Sequence, residues 1–179
     1  MRKPRFDIKI FKQHREALAA HFHDGALILV AHPEYIRNND VHHNYRQDSN
    51  FFYLTGFEEP ESIFVFRPGK VPETVLFVRP KDVERETWDG FRFGPDTAQR
   101  EFGMDKAYTM SEFAAQAPEL LSDVSRVFYR LYAFSEYDQL IESALLATKD
   151  KLRRSGRGLL TIEDPTSIIG EHRMFKSAQ

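Results

Sequence analysis

The chain alternates between amphipathic stretches and uniformly apolar ones, and that alternation predicts its elements. From Phe11 to Phe22, residues Phe11, Leu18 and Phe22 recur at i, i+7 and i+11, one face of a helix that ends near Asp24-Gly25. "ALILVA", Ala26 to Ala31, is apolar at every position, the pattern of a strand covered on both faces. "SIFVFR" (Ser62 to Arg67) and "TVLFVR" (Thr74 to Arg79) predict two more strands, and "PGKVPE" between them suits the loop of an antiparallel hairpin. Gly94-Pro95 opens a short helix with proline at its first position. Thr109 and Glu112 form a Thr-x-x-Glu capping box ahead of "FAAQAPELL". "RVFYRLY", Arg126 to Tyr132, predicts a fourth strand. From Ser135 to about Arg154, Tyr137, Leu140, Ile141, Ala144, Leu145, Thr148 and Leu152 keep helical spacing, and basic "RRSGRG" ends the run. Asp164 and Pro165 predict the N-cap and first residue of a last helix bearing Ile168, Ile169, Met174 and Phe175. Strands alternating with helices predict an α/β layered domain on a mixed sheet. The last helix has apolar residues to bury and scarcely begins before the sequence stops, which suggests a cut.

Composition narrows the setting. A length of 179 residues fits one generous domain and affords a sizeable core. The formal charge of −2 removes the strongest electrostatic reason to expect nucleic acid or an anionic membrane as partner. With no cysteine there is no disulfide framework, thiolate metal site or Cys nucleophile. The basic N-terminus has no apolar core of signal-peptide length, and no run approaches a membrane span. A soluble, cytoplasmic protein is expected.

Candidate chemistry is sparse. His21 and His23 lie at i and i+2, which diverge on a helix and would chelate only if the segment were extended. His42-His43 beside Asp40 could gather around a cation in a turn, although a polar loop is the plainer reading. His172 follows Glu171, but no HExxH exists, and nucleophile-elbow and phosphate-loop motifs are absent as well. The carboxylates of "EEPE" and "DVERE" read as solvated faces, and Arg153, Arg154 and Arg157 read as cations at a helix C-terminus. Taken residue by residue, the chain looks like a domain without an active site of its own.

One stretch stands apart. "NYRQDSNFFYLTGFEEPES", Asn44 to Ser62, crowds five aromatics, an Arg, an Asp and a Gly-bounded turn together, which marks either a site or a buried joint. With its flank, "RNNDVHHNYRQDSNFFYLTGFEEPES" resembles the signature of the N-terminal domain of Xaa-Pro aminopeptidase (aminopeptidase P), in the creatinase/prolidase family. The matching elements are Arg37, Asp40, Tyr45-Arg46-Gln47-Asp48-Ser49, Phe52-Tyr53, Thr55-Gly56-Phe57 and Glu59-Pro60-Glu61. "VLFVRPKDVERETWDGFRFG" is similar to a later family segment, and "HRMFKS" to the start of the helix leading into the catalytic domain.

The resemblance implies a mixed β-sheet flanked by helices, RNase-H-like, over residues 1–163, with 164–179 starting a linker helix toward a C-terminal metallopeptidase domain absent here. That domain would hold two manganese ions on two Asp, one His and two Glu, and would remove the residue preceding proline from peptides. This chain ends before those ligands, so no catalytic residue, metal site or cofactor is expected in it, and alone it should be inactive. In family terms the domain builds the homo-oligomer and walls the substrate channel, with short Xaa-Pro peptides and the catalytic domain in cis as partners. Arg46 and Asp48 are expected in a buried polar network, since buried charges need partners. Phe52, Tyr53 and Phe57 should pack the joint near Gly56, with Ser49, Glu59 and Pro60 completing the structural signature. Trp88, the only tryptophan, is either a lid on the sheet edge or part of a substrate pocket formed across subunits, with Arg92 and Tyr45 as further candidates for that surface. The alternative is a standalone peptide-binding or oligomerisation module. A nucleic-acid-processing enzyme comes third, because RNase-H-like topology alone does not fix function.

Overall fold

The computed structural model describes residues 3–39, 41–154, 156 and 160–175, with the backbone alone at 41, 42 and 89. Its centre is a six-stranded sheet built from β1 (Gly25–Val30), β4 (Ile63–Phe66), β5 (Thr74–Val78), β6 (Lys106–Thr109), β7 (Arg126–Phe128) and β8 (Thr161–Glu163). The order is β6-β5-β4-β1-β7-β8. β1, β4 and β5 pair antiparallel, while β6, β7 and β8 join in parallel, so the sheet is mixed as expected. A small antiparallel pair, β2 (Ile36–Asn38) and β3 (Val41–His42), stands outside it.

Both faces of the sheet are covered, and this explains the uniformly apolar strands. Alternate residues serve opposite layers. Leu27, Leu29, Phe64, Phe66, Leu76 and Val78 face one core, which α1 (Ile8–Leu18), α2 (Ser49–Thr55), α4 (Gly94–Phe102) and α7 (Thr166–Met174) cover. Ala26, Ile28, Val30, Ile63, Val65, Val75 and Phe77 face the other, under α5 (Phe113–Leu121) and α6 (Ser135–Arg154). On α6 the inward stripe is Tyr137, Ile141, Ala144, Thr148 and Leu152. Burial pushes the Tyr137 hydroxyl up to about 12.

Local signals set most boundaries. The first helix tightens into a 3₁₀ turn, Ala19–Phe22, before β1. Thr109 and Glu112 form the expected capping box. The fourth predicted strand stops at Phe128 rather than Tyr132, where the backbone turns to φ 65°. The last helix starts one residue later than predicted, with Pro165 rather than Asp164 at the N-cap; Asp164 stands one position ahead and its carboxylate accepts the Thr166 N–H at 2.8 Å. Ile169 on α7 is fully buried, so this helix is docked onto the domain.

Candidate functional site

The Asn44–Ser62 stretch is a joint held by caps. Asp48 accepts the N–H groups of Asn50 and Phe51, both at 2.9 Å, and so starts α2. Two turns later Gly56 ends it at φ 66°. No side chain fits there, because a Cβ would lie 2.2 Å from the Phe11 ring. Phe57 is fully buried and meets Phe93 and Phe102 with ring centres 5.8 and 5.0 Å away. Phe52 and Tyr53 are only half-buried, and Ser49 likewise, whereas Glu59 and Pro60 are buried.

The buried polar network exists, but Arg46 is not in it: its side chain is exposed. The hub is Gln47, 8% exposed. Its Oε1 accepts from the N–H of His32, the N–H of Asp48 and the hydroxyl of Tyr45, each at 2.9 Å. Its Nε2 donates to the carbonyls of Phe57 at 3.3 Å and Glu59 at 3.0 Å. Arg46 falls outside because the segment is extended and alternate residues face opposite ways, Tyr45 and Gln47 inward. Burial raises the Tyr45 pKa, so this hydroxyl stays a donor. The motif alone gives Gln47 no role, and its place between Tyr45 and the capping Asp48 is the one sequence signal for its burial.

Glu59 ties the joint to the segment carrying Trp88. Its Oε1 accepts the Phe93 N–H at 2.9 Å, and its Oε2 lies 3.8 Å from Arg79 Nη2, with both side chains under 10% exposed. On the other flank, the carboxylate of Glu86 pairs with the Lys81 ammonium and accepts the Arg92 N–H at 2.9 Å. These bonds, Lys81 first, hold the Glu86 pKa below the usual carboxylate value. Lys81 also donates to the Arg92 carbonyl at 2.8 Å and sits 4.1 Å above the Phe91 ring. Trp88, on the one-turn α3 (Glu86–Asp89), is 87% exposed within this fastened frame. It is not a lid on the sheet edge. Arg92, expected on the same surface, is only 6% exposed, and Tyr45 is half-buried.

Beside the joint lies an open groove of about 750 Å³ between α1, α2 and the end of α7. Phe6 packs edge-on to Phe52 at 5.9 Å, and His14 stacks on Tyr53 at 3.8 Å, giving an apolar floor. Arg5, Arg46 and Arg173 supply cations around it, so Arg46 lines a groove rather than a core. Among the described residues, no three or more His, Asp or Glu side chains gather to hold a metal ion, and no helix is long and apolar enough to cross a membrane. Asp40, Arg157 and the side chain of His42, singled out in the sequence, lie outside the described residues.

Comparison with known proteins agrees with this architecture. Residues 11–129 match the family model described as aminopeptidase P, N-terminal domain. Over 176 residues the chain is 35% identical to Xaa-Pro aminopeptidase of Escherichia coli K12, covering 94% of this chain and 39% of that protein. It is 37% identical over 141 residues to human Xaa-Pro aminopeptidase 3, covering 73% of this chain and 28% of the relative. A Pseudomonas aeruginosa aminopeptidase structure superposes with TM-score 0.90 at 37% identity over 98% of this chain and 40% of that one. The low-pH form of E. coli aminopeptidase P gives TM-score 0.88 at 32% identity. The chain thus spans about two fifths of the length of these bacterial relatives. With the family model covering most of its length, the chain belongs to the aminopeptidase P N-terminal domain family.

Proposed function

We propose that this domain is the non-catalytic N-terminal part of a Xaa-Pro aminopeptidase, gating the substrate channel and building the homo-oligomer in the cytoplasm. In this reading α7 runs on into a metallopeptidase domain with two manganese ions, which removes the N-terminal residue from peptides with proline second. The observation that carries it is Trp88. A large ring held 87% exposed on a fastened segment has the size and presentation of an interface anchor. Its anchors, Glu59 to Phe93 and Glu86 to Arg92, hold the segment's base independently of any partner. The ring therefore reaches a channel in a neighbouring subunit with little loss of freedom on docking. The arginine-rimmed groove at the end of α7 supplies a second face, suited to the following domain.

The first test is the reading frame past codon 179. A continuing frame with the Asp, Asp, His, Glu, Glu ligand set supports the reading, and an immediate stop overturns it in favour of a standalone binding module. The second is Trp88→Ala in that longer protein, which should lower kcat/KM for short Xaa-Pro peptides. An unchanged value would return Trp88 to a passive surface role. Light scattering after size exclusion tests assembly, and a monomer at high concentration counts against the oligomer-building role.

A further inference from the structure

His21, in the 3₁₀ turn after α1, meets His172, on α7, across 151 positions of sequence. Their Nε2 atoms are 3.2 Å apart. The ring planes cross at 80° with centres 5.1 Å apart. A straight N–H···N hydrogen bond of that length would set the ring centres about 5.5 Å apart. Two imidazoles sharing one zinc ion, with bonds of about 2.0–2.1 Å at a tetrahedral angle, place the nitrogens about 3.3 Å and the centres about 5.2 Å apart. The pair meets the geometry of an N–H···N hydrogen bond, and its nitrogen and ring-centre separations also fit a shared metal apex without rearrangement. We propose that His21 and His172 form a two-histidine site for a divalent transition-metal ion such as Zn²⁺, completed by water.

The frame is set before any ion arrives. Phe22, next to His21, is fully buried, and so is Ile169, one turn before His172 on the same face of α7. Arg173 donates to Asn50 Oδ1 at 2.7 Å and ties α7 to α2. Binding therefore needs little reordering of backbone, which preserves affinity in a site with only two protein ligands. Neutral imidazole suits zinc, copper and nickel, and gives no advantage to the oxygen-seeking Mg²⁺ or Ca²⁺. A bound ion would clip α7 to the end of α1 and fix the direction in which the chain leaves the sheet. The proposal is independent of the peptidase reading.

The test uses the 179-residue chain, freed of metal with EDTA and titrated with ZnCl₂ at neutral pH by calorimetry, with thermal unfolding in parallel. About one ion should bind per chain, and Tm should rise on addition of Zn²⁺ and return to the metal-free value on chelation. Acidification should weaken binding, since ligating nitrogens must be deprotonated. His21→Ala and His172→Ala should each abolish both effects while far-UV circular dichroism stays unchanged. His23→Ala should retain them, and Mg²⁺ should give none. With Cu²⁺, nitrogen hyperfine structure should report two imidazoles in the parent and one in either variant. Failure of the folded parent to bind Zn²⁺, or uptake that survives both substitutions, would overturn the proposal. So would equal loss in His23→Ala.

Discussion

Replacing Gln47 with alanine removes the side chain on which the signature stretch is hung. Three donors would lose their acceptor, the N–H groups of His32 and Asp48 and the Tyr45 hydroxyl, and two carbonyls would lose a donor. A stranded buried polar group costs about 1–3 kcal/mol. Carbonyls tolerate this better than N–H groups, and water entering the vacated space recovers part of the loss, so the net is about 3 kcal/mol. For a chain of this size that lowers Tm by about 6–12 °C. Urea unfolding followed by far-UV circular dichroism is the appropriate assay, because the single Trp88 is already 87% exposed and its emission would report unfolding poorly. Gln47→Glu keeps the acceptor but turns an anion toward the Phe57 and Glu59 carbonyls, so at neutral pH it should rescue nothing. A loss below about 1 kcal/mol for Gln47→Ala would refute the hub assignment.

Other perturbations test separate links. Asp123 holds both oxygens 2.7 Å from Nη2 of the buried Arg67, so Asp123→Ala should cost about 2 kcal/mol in the same unfolding assay, and Asp123→Asn less. Gly56→Ala forces a Cβ against the Phe11 ring at positive φ and should lower Tm, with Phe11→Leu restoring part of the loss; full stability in Gly56→Ala would contradict the close approach. The folded-state pKa of Glu86 is depressed, so its contribution is complete above the ordinary carboxylate range and is lost as pH falls through the folded value. Exchange of the Arg92 amide proton, corrected for its intrinsic rate, should accelerate over that acidic window and be fast at every pH in Glu86→Ala. Trp88→Ala should leave stability within about 0.5 kcal/mol of the parent, and a larger loss would mean that the ring packs.

Legibility in the sequence followed burial. β1, β4 and β5 were readable because two covered faces leave no polar position to blur them. β6 and β8 were not, being short sheet edges whose solvent-facing residues look like loop. α2 was missed although both of its caps were in plain view. A seven-residue helix rich in aromatics has little intrinsic propensity, so Asp48 and Gly56 decide its existence. Within the site, placing Arg46 rather than Gln47 inside was an offset of one residue in an extended segment, enough to exchange faces. Trp88 was marked as a candidate by its uniqueness, whereas its exposure on a segment bonded to Glu59 and Glu86 from either side is visible only in the fold. The pairing of His21 with His172 has no local signature at all, since docking of α7 creates it.

The parallel pairing of β1 with β7 sets an order of events on the ribosome. Leu27 is synthesised early, yet its register partner Phe128 follows about 5–20 s later at ordinary elongation rates. By Thr109 the β6-β5-β4-β1 half of the sheet has all its strands, while one side of β1 is still an open, wholly apolar edge. A stall in translation before Arg126 would hold that edge out as a template for wrong pairing and a natural target for chaperones. Once Ile169 has left the ribosome the hazard ends, because β7, β8 and the last core residue of α7 can then close the sheet.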